Sequence, residues 1–403
     1  MNKVFSILVA LFVLNAQAFA AMTVEQACQS GESWNFGSHF PKSVVKEFED
    51  FTRGRASVAR GFAEGLANRR LAMSFANSPE GKVFSEYWIS RSLFSAKLYH
   101  LAHHCFSVIA TATLSEAGMT IQRAAIQCLG EIQKVQPSLQ IPAGIRLAAV
   151  KKDSGSSDAL LLHAINQSSN KGAELASILE AFDSKMPQYH LARGIIESRS
   201  ANSGRAIESL KKYTATASAA GFLGRYFDAA YILLGRAQYT LGYFEASAKS
   251  LQLVRKSSNE IAQVLSDLSW AYLMAGMYEE AVGVAMHLRA GSLKNTYAPE
   301  AGMVVAMAYN EICQFPSSIQ AVSFFRKQYT PVYLWLKSWN SKPKESLYPQ
   351  VVAYLKGKTE VPQKVASEWL RSPVFLSNQQ ELNLLTKISS FSDNLIQAAS
   401  KEQ

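Results

Sequence analysis

Residues 233–251 read LLGRAQYTLGYFEASAKSL, and residues 268–288 read LSWAYLMAGMYEEAVGVAMHL. When the first stretch is moved along the chain by 34 positions, its residue classes coincide with those of the second, and Gly242 falls on Gly276. A period in the thirties is typical of arrays in which pairs of helices stack on one another. This repeat therefore predicts the fold of the middle of the chain.

The spacing inside each unit has a mechanical reason. A small residue such as Gly235 is needed where the two helices of a pair cross closely, and Gly242 supplies the tight turn between them. Ser247 then brings a second small side chain to the same crossing. A further shift of 37 gives a third unit, with Ala306 at the crossing and Cys313 in place of the turn glycine. The spacing thus predicts helix pairs at 226–241 with 243–257 and at 260–275 with 277–289.

The two stretches quoted above resemble tetratricopeptide repeats in register, length and residue class. Weaker copies stand at 190–213 (HLARGIIESRSANSGRAIESLKKY) and 87–109 (YWISRSLFSAKLYHLAHHCFSVI). The segment 297–336 also resembles the last repeat and following helix of exported envelope tetratricopeptide proteins from gliding and predatory deltaproteobacteria. The resemblance implies a tetratricopeptide-like helical solenoid with helical caps, which holds a partner protein in the cell envelope.

No run of alternating, β-branched residues bounded by turn residues is present, so we expect an all-α chain. The Ser- and Gly-rich segment at 153–158 predicts a flexible break. The expected regions are a signal peptide (1–20), an N-terminal helical region with a degenerate repeat (21–152), the tetratricopeptide array (159–330) and a C-terminal helical cap (331–403).

The first twenty residues have the pattern of a secretory signal. Lys3 precedes an apolar run that ends at Leu14, and the segment closes on Ala18-Phe19-Ala20. This order of charged start, apolar core and small residues predicts export to the periplasm and a mature chain that begins at Ala21. The alternative is a buried N-terminal helix. No later apolar stretch reaches the length of about 20 residues that a bilayer requires, so we expect no transmembrane segment after cleavage, and at most a peripheral association with the outer membrane.

The charge balance bears on the partner. The chain has 41 basic and 31 acidic residues, which gives a formal net charge of +10. This excess favours contact with anionic surfaces, but the basic residues are scattered rather than clustered. We therefore expect a protein or peptide partner in the envelope, with anionic contact as a candidate addition, and no nucleic acid.

Metal and cofactor sites are not expected. His100 and His104 lie four residues apart and could share one helix face, but position 101 is leucine, where metalloproteases carry a glutamate. No phosphate-binding loop or nucleophile elbow is present, so the chain is not expected to be an enzyme. Of the four cysteines, Cys105 and Cys128 lie on consecutive predicted helices, and we expect them to form a disulfide.

The predicted partner site is the groove that first helices line in a stacked array. Tryptophan, tyrosine, methionine and arginine, which are enriched in protein interfaces, occur in this set. Two alternatives remain open: C-terminal helices that fill the groove, and a cell-wall-processing enzyme or ligand carrier built on the same scaffold. The groove residues are Arg199, Ile232, Arg236, Tyr239, Ser266, Trp270, Met274, Met303, Met307 and Asn310.

Overall fold

The protein is all-helical wherever the computed structural model describes it. The described residues include fifteen α-helices and two short 3-10 helices with defined bounds, further helical residues and no strand, which confirms the predicted all-α class. The signal segment at 1–20 lies outside this part of the chain. The described residues are 28, 83, 86–87, 89–91, 93–94, 97–114, 118–150, 154–167, 173–218, 221–340, 347–358, 360–372, 375–376, 378–383, 385–386 and 389.

The chain divides into two compact units, with the boundary between Met186 and Pro187. This boundary lies inside the range 159–330 that the sequence assigns to the array. The first unit contains α1 (Tyr99–Thr111), α2 (Met119–Val135), a 3-10 turn (Leu147–Ala149), α3 (Ser154–Gln167) and α4 (Ala173–Glu180). The Ser-rich segment from residue 154 onward is therefore the start of α3 rather than a flexible break.

The disulfide of the first unit joins Cys28 to Cys128, with Cα atoms 5.5 Å apart. The predicted bridge between Cys105 and Cys128 is therefore wrong. Cys105 is instead a buried thiol in α1, on the face that packs in the core. Sequence spacing places Cys105 and Cys128 on neighbouring helices, but it does not identify the cysteine that Cys128 meets.

The second unit begins at Pro187 and continues the helical chain. Its helices are α5 (Pro187–Arg199), α6 (Ser203–Thr216), the single-turn α7 (Gly221–Gly224), α8 (Phe227–Thr240), α9 (Phe244–Gln252), α10 (Ile261–Met274), α11 (Tyr278–His287), α12 (Pro299–Glu311), α13 (Phe315–Asn340), α14 (Leu347–Leu355) and α15 (Gln363–Arg371), with a 3-10 turn at Gly291–Leu293. The four helices predicted from the 34-residue shift are α8 to α11. Their ends lie within two residues of the predicted positions, apart from the end of α9.

The helix α9 ends at Gln252 rather than at residue 257, because a side chain of α8 accepts a hydrogen bond from the backbone that follows Gln252. The Asp228 carboxylate accepts a hydrogen bond from the Arg255 backbone N–H at 3.1 Å. The Arg255 guanidinium also binds Asp228, at 2.9 Å. An N–H that bonds to a side chain no longer continues the helical ladder, so the chain leaves the helix early.

Each turn between paired helices closes with one hydrogen-bond pattern. At the turn between α8 and α9, Gly242 has φ +80°, and the N–H of Tyr243 donates to the Gln238 carbonyl at 2.9 Å. The Gly242 N–H donates to the Tyr239 carbonyl. These bonds form the Schellman motif, which requires a left-handed residue where Gly242 stands.

Five further turns share that left-handed residue and the long bond that follows it, namely those at Lys97, Ala201, Gly276, Cys313 and Gly357. Three of these positions carry side chains, although a side chain disfavours the left-handed conformation. The turn geometry is therefore common to strong and weak copies of the repeat. The departure from glycine at Cys313 leaves the turn unchanged.

Helices of the second unit pack in the order of the sequence. Each of α8 to α12 contacts the helix that follows it, and the first helix of each pair also contacts the first helix of the next. Within the pair α8–α9 the crossing is close, because a Cβ added at Gly235 would lie 2.7 Å from Leu251 Cγ. The buried faces of α8 to α13 form one apolar core.

The C-terminal half of α13 has its own small core. Val332 is buried there against α15, and Trp335 and Trp339 form an aromatic cluster with Trp369. The helix α13 continues through Pro331, although proline removes one backbone hydrogen bond, and this small core lies just beyond that position. In the part of the chain that is described, no helix has the length and apolar character needed to cross a bilayer.

Candidate functional site

A cavity opens between the pair α8–α9 and the first helix of the next pair, α10. Its volume is about 430 Å³, which falls in the lower part of the range of roughly 300–1,000 Å³ seen for ligand pockets. Its walls combine two aromatic rings, one aliphatic side chain and four polar side chains. The lining residues are Arg236, Tyr239, Thr240, Ser247, Leu251, Asp267 and Trp270.

The helical period explains how these residues come together. Arg236, Tyr239 and Thr240 occupy one face of α8 at spacings of three and four, and Asp267 and Trp270 do the same on α10. The two faces meet because first helices of consecutive pairs contact each other. The lining residues Ser247 and Leu251 both belong to α9, the second helix of the pair.

An ion pair crosses the cavity from one first helix to the other. Arg236 Nε donates to Asp267 Oδ2 at 2.7 Å, and the amide of Gln263 donates to the other carboxylate oxygen at 3.0 Å. The charges at the cavity are therefore balanced. Burial, with a contribution from the Asp267 carboxylate, raises the pKa of Tyr239, so its phenol stays protonated at neutral pH.

Ser247 is the unusual polar group of the lining. It is 0% exposed, and its Oγ atom has no hydrogen-bond partner. The equivalent serine of the third unit, Ser318, donates to the Ala306 carbonyl at 2.8 Å. The equivalent residue of the second unit is Ala281, which has no hydroxyl to satisfy. A buried hydroxyl without a partner is costly, so Ser247 is an energetically unfavourable group at this helix crossing.

Three of the predicted groove residues, Arg236, Tyr239 and Trp270, meet at this cavity. Trp270 lines the cavity and also packs against the apolar core of the second unit. Trp270 therefore both faces the cavity and contributes to internal packing. Met274 lies one turn further along α10 than Trp270 and is 47% exposed.

The predicted methionines of α12 are exposed as well. Met303 and Met307 lie four residues apart, on one face of the helix, and are 46% and 42% exposed. Since α10 and α12 contact each other, these side chains and Met274 belong to adjacent first helices. Arg199 and Asn310 are exposed near the ends of α5 and α12, and neither lines the cavity.

Two predicted groove residues lie in the interior instead. Ile232 is part of the apolar core, and Ser266 is buried with its Oγ donating to the Glu300 carboxylate at 2.9 Å. The repeat register places both residues on first helices, but both side chains are buried. We therefore remove Ile232 and Ser266 from the candidate site.

Sequence reasoning missed four of the lining residues: Thr240, Ser247, Leu251 and Asp267. Ser247 and Leu251 stand at repeat positions that normally only pack, so their type carries no functional signal. Asp267 could have been found, because it lies three residues before Trp270 and so shares its helix face. Its opposite charge matches that of Arg236 on the preceding first helix.

One histidine of the cluster in the first unit lies against a backbone carbonyl. His103 Nε2 lies 2.8 Å from the Gln140 carbonyl oxygen, and burial lowers the pKa of this imidazole. Among the residues that the structure describes, no three His, Cys, Asp or Glu side chains converge in a way that could hold a metal ion.

Comparison of the chain with protein-family models and with curated proteins found no match. The functional interpretation depends on the cavity and on the repeat.

Proposed function

We propose that this chain is an exported, tetratricopeptide-type scaffold that binds a protein or peptide partner in the bacterial envelope. The partner lies along the first helices α8, α10 and α12. The observation that carries the proposal is the cavity at Arg236, Tyr239 and Trp270, next to exposed methionines on the same helices.

The shared turn supports the tetratricopeptide assignment. Left-handed residues at matching repeat positions, each followed by the same long hydrogen bond, are expected if the units are copies of one helix pair. The close crossing at Gly194 supports it too, because a Cβ there would lie 2.6 Å from Leu210, as one at Gly235 meets Leu251. The signal pattern of the first twenty residues supports export.

The residue types on the first helices suit protein binding. Trp, Tyr and Arg are the commonest hot-spot residues of protein interfaces. Exposed methionines offer flexible apolar contacts, and such surfaces can adapt to a partner. The ion pair at the cavity balances its charge, and the aromatic and aliphatic side chains of the lining provide apolar surface, a combination that suits binding.

Site-specific crosslinking in native cells tests the proposal. A photoreactive amino acid is placed at Met274, and a control is placed at Leu253, which is 59% exposed at the end of α9. We expect one protein adduct at Met274 that is absent at Leu253. The adduct protein is then purified and its affinity for the intact chain is measured.

Trp270→Ala supplies the matched variant for this measurement. Loss of a central interface aromatic typically costs about 2 kcal/mol or more of binding, or roughly 30-fold in affinity. Thermal unfolding is measured beside it, because Trp270 also packs on the core and its truncation lowers stability. Met307→Ala, at an exposed position on α12, tests the same face without touching the core. Unchanged affinity in both variants would refute binding along the first helices.

A further inference from the structure

We infer that the exposed face of α13 docks on a lipid bilayer that contains anionic phospholipids. This face is one stripe of side chains along the helix, which we call the α13 stripe. The inference goes beyond the proposed function, which assigns the partner to α8, α10 and α12. The members of the α13 stripe are Phe315, Ile319, Val322, Arg326, Tyr333 and Lys337.

The helical period places these six residues on one side of α13. Consecutive members lie three, four or seven residues apart along the chain, and Phe315 and Tyr333 are separated by about five turns. All six are exposed, with Phe315, Ile319 and Tyr333 at 54%, 68% and 61%. With a rise of about 1.5 Å per residue, the stripe extends over roughly 33 Å. Contiguous apolar surface of this kind marks an interaction site, whereas single exposed apolar residues do not.

The stripe is open because α13 is the last helix of the three repeated pairs. In the two earlier pairs, the first helix of the next pair packs against the second helix. Leu251 and Ala285, the equivalents of Val322, are accordingly 2% and 0% exposed, whereas Val322 is 37% exposed. The helix α15 packs further along α13, at Val332. The apolar residues of the stripe are therefore available to an external surface.

The charge of α13 indicates which kind of surface this is. The helix has three basic residues, all of them exposed, and no acidic residue. Residues 312–359 contain seven basic residues and one acidic residue, compared with 41 and 31 in the whole chain. Basic residues beside exposed aromatic and aliphatic side chains are typical of helices that lie in the interface of an anionic membrane.

A bilayer suits this stripe better than a helix of another protein does. A protein helix would need acidic residues in register with both Arg326 and Lys337, whereas a bilayer offers phosphate groups at every position along the stripe. The long basic side chains can reach those phosphates while the apolar side chains between them enter the interface. Tyr333 has an apolar ring and a polar hydroxyl, a combination that suits the boundary between lipid and water.

The experiment measures binding of the purified chain to lipid vesicles by flotation. One set of vesicles contains phosphatidylglycerol and phosphatidylcholine, and the other contains phosphatidylcholine alone. All proteins compared have the same N-terminus, so the apolar run that ends at Leu14 contributes equally to each. We expect at least about tenfold tighter binding to the anionic vesicles, and weaker binding as salt is added, because salt screens exposed charges.

A pair of double variants tests the charge of the stripe. Arg326→Gln combined with Lys337→Gln should weaken binding to the anionic vesicles by about 25-fold, since each basic residue near an anionic surface contributes about fivefold. Lys249→Gln combined with Lys256→Gln is the control. It removes the same charge from two other exposed positions of the second unit, and it should keep most of the affinity.

A pair of single variants tests the apolar part of the stripe. Ile319→Ser should weaken binding by about tenfold, because an aliphatic side chain no longer enters the interface. Leu253→Ser is the control, since Leu253 is 59% exposed but belongs to the end of α9. All the changed side chains are exposed, so every variant should unfold at the temperature of the unchanged protein.

Equal binding to the two kinds of vesicle would overturn the inference. The same conclusion follows if the stripe variants bind as tightly as their controls. A photoreactive amino acid at Ile319 adds a test in native cells, where a lipid adduct is expected. A protein adduct at Ile319, together with no preference for anionic vesicles, would assign the stripe to a protein helix and would also overturn the inference.

Discussion

Substitution of two glycines in helix interiors measures how much the close crossing of α8 and α9 affects stability. A Cβ added at Gly235 would lie 2.7 Å from Leu251 Cγ and 2.8 Å from Leu251 Cδ2, closer than side-chain atoms pack. A Cβ added at Gly283 in α11 would meet nothing within 4 Å. Gly235→Ala and Gly283→Ala therefore make the same chemical change in a crowded and in an open position.

The magnitudes follow from two opposed effects. Alanine is favoured over glycine in a helix interior by about 0.5–1 kcal/mol, and both variants receive this gain. Crowding in a packed core costs about 1–3 kcal/mol, and only Gly235→Ala has this cost. We expect Gly283→Ala to stabilise the protein and Gly235→Ala to destabilise it. The difference between the two variants isolates the crowding, because the helix preference cancels.

Calorimetric thermal unfolding measures this difference. For a unit of 150–250 residues, 1 kcal/mol corresponds to about 2–4 °C, so the two variants should differ by at least that much. Leu251 also lines the cavity, so its displacement in Gly235→Ala should change the shape of the cavity as well. If Gly235→Ala unfolds at the same temperature as Gly283→Ala, the helices do not cross as closely as described.

Two further predictions concern the first unit. Removing the Cys28–Cys128 bridge with Cys28→Ser should lower the free energy of unfolding by about 2–5 kcal/mol, because the bridge closes a loop with a sequence separation of 100. Thermal unfolding measures this loss. A disulfide-linked peptide that contains Cys105, found in a non-reducing digest, would contradict the pairing. Burial lowers the pKa of His163 to about 4 in the folded protein, whereas the ordinary histidine pKa is about 6.5. Between about pH 6.5 and pH 4 the unfolded chain therefore binds a proton at His163 that the folded chain does not bind. The contribution of His163 to the free energy of unfolding should therefore be fully present above about pH 6.5 and should decrease by up to about 3 kcal/mol as the pH falls to about 4. Urea unfolding at several pH values should show a weaker pH dependence of this free energy for His163→Leu than for the unchanged protein. Identical pH dependence in the two proteins would disprove the effect.

Residue types and their spacing along the chain were sufficient to predict the helices α8 to α11 and the turns between them. Turn positions were readable because a left-handed residue is needed at one place in each pair, and glycine is the usual choice. The early end of α9 was not readable, because Asp228 lies 27 residues before the backbone N–H that it binds. The flexible break expected after residue 153 was also absent, since small polar residues can start a helix as readily as a loop.

The candidate site was predictable in part for the same reason. Helix register placed Arg236, Tyr239 and Trp270 on the faces that meet at the cavity, because it fixes which side chains share a face. Ile232 and Ser266 were misassigned, because register does not report how closely the next helix approaches. Burial depends on that approach.

The sequence by itself determined the helical class, the period of the pairs and the position of their turns. The class and the turns depend on residues close together along the chain, and the period is visible because one local pattern recurs after 34 residues. Only the tertiary structure decided that Cys28 is the partner of Cys128, that Ser247 lies buried beside an open cavity, and that Asp267 pairs with Arg236. These outcomes depend on distances between residues that are far apart in sequence. Such distances are set by how whole helices pack, and packing is a property of the assembled core rather than of any one segment.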